Sequence, residues 1–258
     1  MVIRKQIYKI VRLLTYCLLC QLFAVKLLAQ EFIIGVEDVT YYPLYDFKSN
    51  RDTFSRELLN TFAATKGYTF TFLHLPIKRF ERWLIEEKID FKYPDNERWY
   101  AEPSLRDKFT FSQSTIKLIA GTTVLKSSLN KAPSEFKILG TLLGFYPSNW
   151  IDEINSGEVE LHEDNSATIL IRQLLAQHLD GLNLEPSVIN YYLTKLGKPT
   201  ELVTIDKQYK YDVYDYHFST IKYPKVIEEF NEFLNNNEAL LAKMKKKYHI
   251  IDYKPYLK

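Results

Sequence analysis

The sequence predicts an α/β protein of two Rossmann-like lobes joined by two crossover strands. Three observations predict it. A strand-helix-strand-helix-strand order runs from Phe32 to Tyr93, the pattern of a parallel sheet covered by helices. A similar order starts again at Thr141 and runs to Gly197. The two units meet at an extended stretch, about 116–125, and a second one, about 214–221, can lead back, with no low-complexity linker between them.

The elements follow from local chemistry. "FIIGV" (Phe32–Val36) is short, apolar and β-branched, a buried strand. "EDVTYYPLYDF" is a loop with four aromatic rings and a proline. Asp52 or Thr53 can cap a helix through Lys66, with Phe54, Leu58, Leu59, Phe62 and Ala63 on one face and Gly67 as its stop. "TFTFLHL" alternates and is a strand. Pro76 then opens a helix that turns Phe80, Trp83 and Leu84 inward, and "IDFKY" is the third strand.

In the second unit "TLLGFY" (Thr141–Tyr146) reads as a strand and "SNWIDEINSG" as a short helix capped by Ser148. "VELHE" and "LDGLNL" are strands around the amphipathic helix "SATILIRQLLAQH", and Pro186 to Gly197 is a further helix. "YDVYDYHFST" is extended. "YPKVIEEFNEFLNN" and "EALLAKMKKKYHI" are two helices with no strand between them.

The first residues read as an export signal. Arg4, Lys5, Lys9 and Arg12 precede the apolar run Leu13–Val25, and Ala29 is a small residue suited to cleavage. Lys26 interrupts the run before the roughly 20 apolar residues that a membrane anchor needs. An uncleaved anchor remains the alternative. The expected divisions are residues 1–29 as signal peptide, 30–118 with 220–258 as one lobe, and 119–219, including the hinge strands, as the other.

Cys17 and Cys20 both lie in the leader, so a mature chain has no thiol, which suits an oxidising compartment and excludes disulfides and thiolate sites. The net charge of +2 would fall to about −3 on cleavage, and such a balance does not suit nucleic-acid binding. The five histidines are scattered without ligand spacing. No metal, cofactor or catalytic role is expected, and no Gly-x-Ser-x-Gly, phosphate-binding loop or dinucleotide fingerprint occurs. Asp90 and Asp180, at strand ends, are read as structural hydrogen-bonding groups.

Taken together, "IIGVEDVTYYPLYDF", "RWLIEEKIDFKYPDNERW", "FTFS" and "QHLDGLNLEPSVINYYL", in that order and spacing, resemble the bacterial extracellular solute-binding proteins of family 3. These are periplasmic receptors of amino-acid uptake systems with the type II periplasmic binding fold. The resemblance covers essentially the whole mature chain. It implies a small polar ligand, an amino acid or related carboxylate, held between lobes and handed to the permease of an ABC transporter or to a sensor by a monomeric protein. It implies Arg98 as a clamp on the ligand carboxylate, since a planar guanidinium offers two parallel donors. It implies Glu185 for the amino group, Ser148 and Asn149 as donors at a helix start, and rings among Tyr41, Tyr42 and Tyr45 over the side chain. The usual run of serine and threonine before the arginine is replaced by Lys92, Pro94, Asp95 and Asn96, and Arg79 adds a second cation near the same strand ends. That departure leaves room for a more acidic ligand. A sensing module without a transporter and a dehydratase-like enzyme are the alternatives.

Overall fold

The structure, a computed structural model, describes residues 29–257 except 101 and 130. The leader expectation for residues 1–29 therefore falls almost wholly outside the described residues. Among those described, no helix is long and apolar enough to cross a membrane.

Two sheets organise the chain, as expected. The first carries β1 (Gln30–Glu37), β2 (Tyr68–Leu75), β3 (Phe91–Asp95), β4 (Thr110–Phe111), β5 (Ile116–Ala120) and β11 (Asp212–Thr220). Its order is β2-β1-β3-β11-β4, with β5 pairing β11. The second carries β6 (Thr123–Leu125), β7 (Ile138–Leu142), β8 (Glu160–Asp164), β9 (Gly181–Leu182) and β10 (Val203–Ile205), in the order β10-β6-β9-β7-β8. β1 and β3 are parallel, and β7 is parallel to both β8 and β9. That is the arrangement the two strand-helix repeats require.

Local signals set the helices. α1 (Phe54–Lys66) starts where the Thr53 hydroxyl accepts the Arg56 N–H and ends at Gly67 in the left-handed region. After Pro76 the chain forms a 3₁₀ turn, Ile77–Arg82, and then one turn of α-helix, α2 (Trp83–Glu86), which bury Phe80, Trp83 and Leu84 as expected. The short α3 (Pro103–Arg106) precedes β4. In the second lobe α4 (Ile151–Ser156), α5 (Ala167–Leu175) and α6 (Pro186–Lys195) alternate with strands. α7 (Pro224–Asn236) and α8 (Glu238–Lys247) close the chain on the first lobe, where α7 meets β11 and α8 meets α1.

Four local readings are corrected. "TLLGFY" supplies only the end of its strand. β7 starts at Ile138 and stops at Leu142, because Gly144 turns the chain at a φ of +90°. Ser148 caps nothing; it opens a 3₁₀ turn after Pro147, and no side chain caps α4. The extended stretch around 116–125 is two strands, β5 and β6, which break at Gly121 and enter different sheets. β10 lies in "LVTI", which the sequence reading left unassigned.

The second crossing is the single strand β11. Its first half, Asp212–Tyr216, pairs with β5, and its second half runs between β3 and β4. Asp90 and Asp180 play the structural roles expected of them. The Asp90 carboxylate accepts the Ile33 N–H at 2.9 Å, and that of Asp180 accepts the N–H groups of Lys137 and Ile138 at 2.8 and 3.0 Å.

Candidate functional site

The carboxyl end of β1 leads straight into the tyrosine loop, and the end of β9 leads into the start of α6. In open α/β sheets these strand ends are where ligands sit. Here the two ends meet. Tyr41, on the loop of the first lobe, accepts the backbone N–H of Glu185, at the start of α6 in the second, at 2.6 Å. The Tyr41 ring also stands edge-on to Phe145, 5.1 Å between centroids. Tyr42 meets Tyr191 of α6 at 4.2 Å, and the Arg51 guanidinium lies 4.0 Å from the Tyr42 ring and 5.4 Å from that of Tyr191. On the other flank, a Cβ at Gly144 would lie 3.3 Å from Cβ of Ile77, so the β7 loop packs directly on the 3₁₀ turn of the first lobe.

Two carboxylates are buried here. Glu37, the last residue of β1, accepts the hydroxyl of Tyr45, and desolvation raises its pKa from 4.5 to about 7, against lowering contributions from Tyr45 and Lys92. Glu185 also rises to about 7, again chiefly by desolvation, although its carboxylate accepts the Ser187 N–H at 2.6 Å and the Ser187 hydroxyl at 3.2 Å. Glu185 is thus the side-chain cap of α6. The hydroxyls of Tyr41 and Tyr214 feel both carboxylates, and burial holds both well above the usual tyrosine range. Tyr216 packs beside them, tilted to Tyr45 at 6.2 Å and edge-on to Tyr214 at 5.7 Å between centroids. The period-two side-chain direction of β11 puts Tyr214 and Tyr216 on one face.

Behind this layer β3 buries an ion pair in place of the missing hydroxyl run. Lys92 and Asp95 are fully buried, with Nζ and Oδ2 3.2 Å apart. The Lys92 ammonium lies 3.7 Å from the Phe80 ring and 4.4 Å from that of Tyr100, and it donates to the Phe80 carbonyl at 3.3 Å. Tyr100 donates to Asp95 at 2.8 Å, and Ser219 of β11 donates to it as well. Desolvation lowers the lysine's pKa and raises the aspartate's, so the pair persists only through these mutual contacts.

The structure brings Tyr41, Tyr45 and Glu185 together, with Tyr42 at the margin. It does not bring the arginines with them. Arg98 sits on the 3₁₀ turn after β3 with its side chain 58% exposed. Its guanidinium donates to Asp212 at 2.5 Å and to the Val213 carbonyl at 3.2 Å, at the start of β11. Asn96 ties the same turn to the Asp215 carbonyl at 2.6 Å. Arg98 therefore fastens its turn to the crossover strand. Arg79, 59% exposed, pairs with Glu86 at 2.7 Å and Glu87 at 3.5 Å on the helical surface. Ser148 is exposed, and the Asn149 amide donates to the Lys210 carbonyl at 3.4 Å.

Sequence reasoning passed over Glu37, Tyr214 and Tyr216. Glu37 could have been found as the acid that ends an otherwise apolar central strand. Among the described residues, no group of three or more metal-ligating side chains is assembled.

The sequence matches no family model, and no curated protein matches it. Solved structures do match. The fold is that of the periplasmic amino-acid-binding proteins. A substrate-binding protein of an ABC uptake transporter from Streptococcus pneumoniae, with bound histidine, is 19% identical; the match covers 84% of this chain and 92% of that one, with a TM-score of 0.64. An arginine transport-system periplasmic binding protein from Legionella pneumophila is 14% identical, covering 85% and 100%, with a TM-score of 0.61. An ancestral amino-acid-binding protein, a precursor of cyclohexadienyl dehydratase, is 15% identical, covering 84% and 95%, with a TM-score of 0.63.

Proposed function

We propose that this protein is an exported solute-binding protein of the periplasm. It captures a small polar solute bearing an amino group, an amino acid in the first place, between its two lobes and hands it to an ABC-type permease. The observation that carries this reading is the meeting of the strand ends of both lobes at Tyr41 and Glu185. Hinge bending at β5 and β11 would part them and admit a ligand. The ligand then stabilises the closed form through contacts with both lobes.

A thermal-shift panel of amino acids, amines, dicarboxylates and sugars tests the reading. A ligand at about 100 times its dissociation constant adds roughly 2.7 kcal/mol, about 5–10 °C for a chain of this size. The same ligand should reduce the radius of gyration in solution scattering. A panel without a single shift would sink the proposal. The neighbour that preceded a dehydratase favours one second reading, an enzyme on the same fold with Glu185 as general acid. Chemical change in a bound solute on prolonged incubation would decide for it.

A further inference from the structure

We propose that the cleft recognises its ligand as an organic cation: an ammonium or guanidinium group placed between Glu37 and Glu185 among Tyr41, Tyr45, Tyr214 and Tyr216 is the required feature, and a carboxylate on the ligand is dispensable. This rests on the solute-binding reading and names its ligand chemistry.

Among the described residues, the titratable side chains at the meeting point are acids and tyrosines, and none is a cation. Glu37 comes from the first lobe and Glu185 from the second; Glu37 accepts the Tyr45 hydroxyl, the Tyr45 ring lies 5.4 Å from that of Tyr41, and the Tyr41 hydroxyl accepts the Glu185 N–H at 2.6 Å. An ionised carboxylate has about four acceptor positions. The contacts account for one at Glu37, from Tyr45, and three at Glu185, two from Ser187 and one from the Val188 N–H. Both retain acceptor capacity for a ligand N–H. The rings of Tyr41, Tyr45, Tyr214 and Tyr216 pack on one another beside them, and aromatic rings attract cations to their faces. Arg51 already uses this chemistry at the margin, where its guanidinium lies over Tyr42 and Tyr191, one ring from each lobe.

Of the cations, Arg51 lies at the margin on the rings of Tyr42 and Tyr191, and Arg98, Arg79 and Lys92 are committed elsewhere. Arg98 is held by Asp212 and the Val213 carbonyl, and Arg79 by Glu86 and Glu87. Lys92 is enclosed by Asp95, Phe80 and Tyr100 behind the tyrosine layer. A ligand carboxylate at the centre would add a third acid to two buried ones in a site of low dielectric, whereas a cation there would pair with their charged forms.

The test is titration calorimetry of the mature chain, stripped of bound solute by unfolding and refolding, with lysine, cadaverine, arginine and agmatine. Each amine differs from its amino acid only by the missing carboxylate. Cadaverine or agmatine should bind as tightly as its parent or more tightly, and Glu37→Gln should weaken that amine about tenfold or more, the loss expected for a hydrogen bond to a charged group. An amino acid that binds at least tenfold tighter than its decarboxylated partner would overturn the inference and leave the solute-binding reading intact. Binding of only neutral or acidic members of the wider panel would do the same. Silence from every probe would remove both. The comparison within each pair is made on the wild-type protein, so it stands even if the variant fails to fold.

Discussion

Glu37→Gln should make the protein more stable at pH 8 and have only about a quarter of that effect at pH 5. Glu37 is a buried acid whose pKa is raised from 4.5 to about 7, chiefly by desolvation. Its neutral form is therefore the one the folded chain prefers. Stability from this group is fully present below pH 4.5 and is lost as pH rises through 7. The interval from 4.5 to about 7 corresponds to about 3 kcal/mol. The groups around it are Tyr45, which donates to it, Lys92, which favours its charge, and Asp95, which opposes it. Tyr41, Tyr214 and Tyr216 also sense it, but they do not titrate in this range. Glutamine keeps an acceptor for Tyr45 and cannot ionise. Urea unfolding of both proteins at pH 5, 6, 7 and 8 should give curves that lie close together at pH 5 and separate steadily, to about 3 kcal/mol at pH 8. Parallel lines across the whole range would show that Glu37 does not titrate with a raised pKa, and the buried-acid account of the cleft would fail.

Three further outcomes are expected. Asp95→Ala leaves the Lys92 ammonium buried without its partner, and equilibrium unfolding should show a loss of about 3–5 kcal/mol. Arg98→Ala removes an ion pair between two largely exposed groups, so the same measurement should change by less than about 1 kcal/mol. Tyr41→Phe leaves the Glu185 N–H without its acceptor in the closed form. Solution scattering should then show a larger mean radius of gyration than in wild type, with closure weakened by about 1–3 kcal/mol.

How much of this was legible depended on the range of the interaction. Thr53 and Gly67 announce α1 from both ends because capping and left-handed termination are decided within four residues. The alternation of β2 and the helical spacing in α7 were equally local. Boundaries inside apolar runs were not, since periodicity cannot say where "FKILGTLLGFY" stops being strand. The turn is imposed at Gly144 by the packing of its loop on Ile77. The tyrosine loop and Glu185 could be read as neighbours only through the family resemblance, as they are 144 positions apart. The place of Arg98, apart from the tyrosine layer, was hidden for the same reason in reverse. The partner that occupies it, Asp212, is 114 positions away, and no local pattern reveals that the crossover strand will pass beside it. Lys92 and Asp95 looked like an irregular turn. They become a buried pair only once Ser219 of β11 and Tyr100 close around them.

The buried acids also bear on how closure is controlled. The contacts across the cleft, Tyr41 with Glu185 and Phe145, and Tyr42 and Arg51 with Tyr191, join the two lobes directly. A ligand that added only equal contacts to open and closed forms would shift nothing. On the cation reading, the desolvation of Glu37 and Glu185 as charged groups would oppose closure above pH 7. A bound cation removes that opposition in the closed form only, because only there do both carboxylates share it. Discrimination would then come from the protein's own electrostatic cost. A neutral solute of the same size leaves both acids uncompensated, and an anion worsens them. Ligand charge, more than ligand shape, would decide which solute closes the cleft.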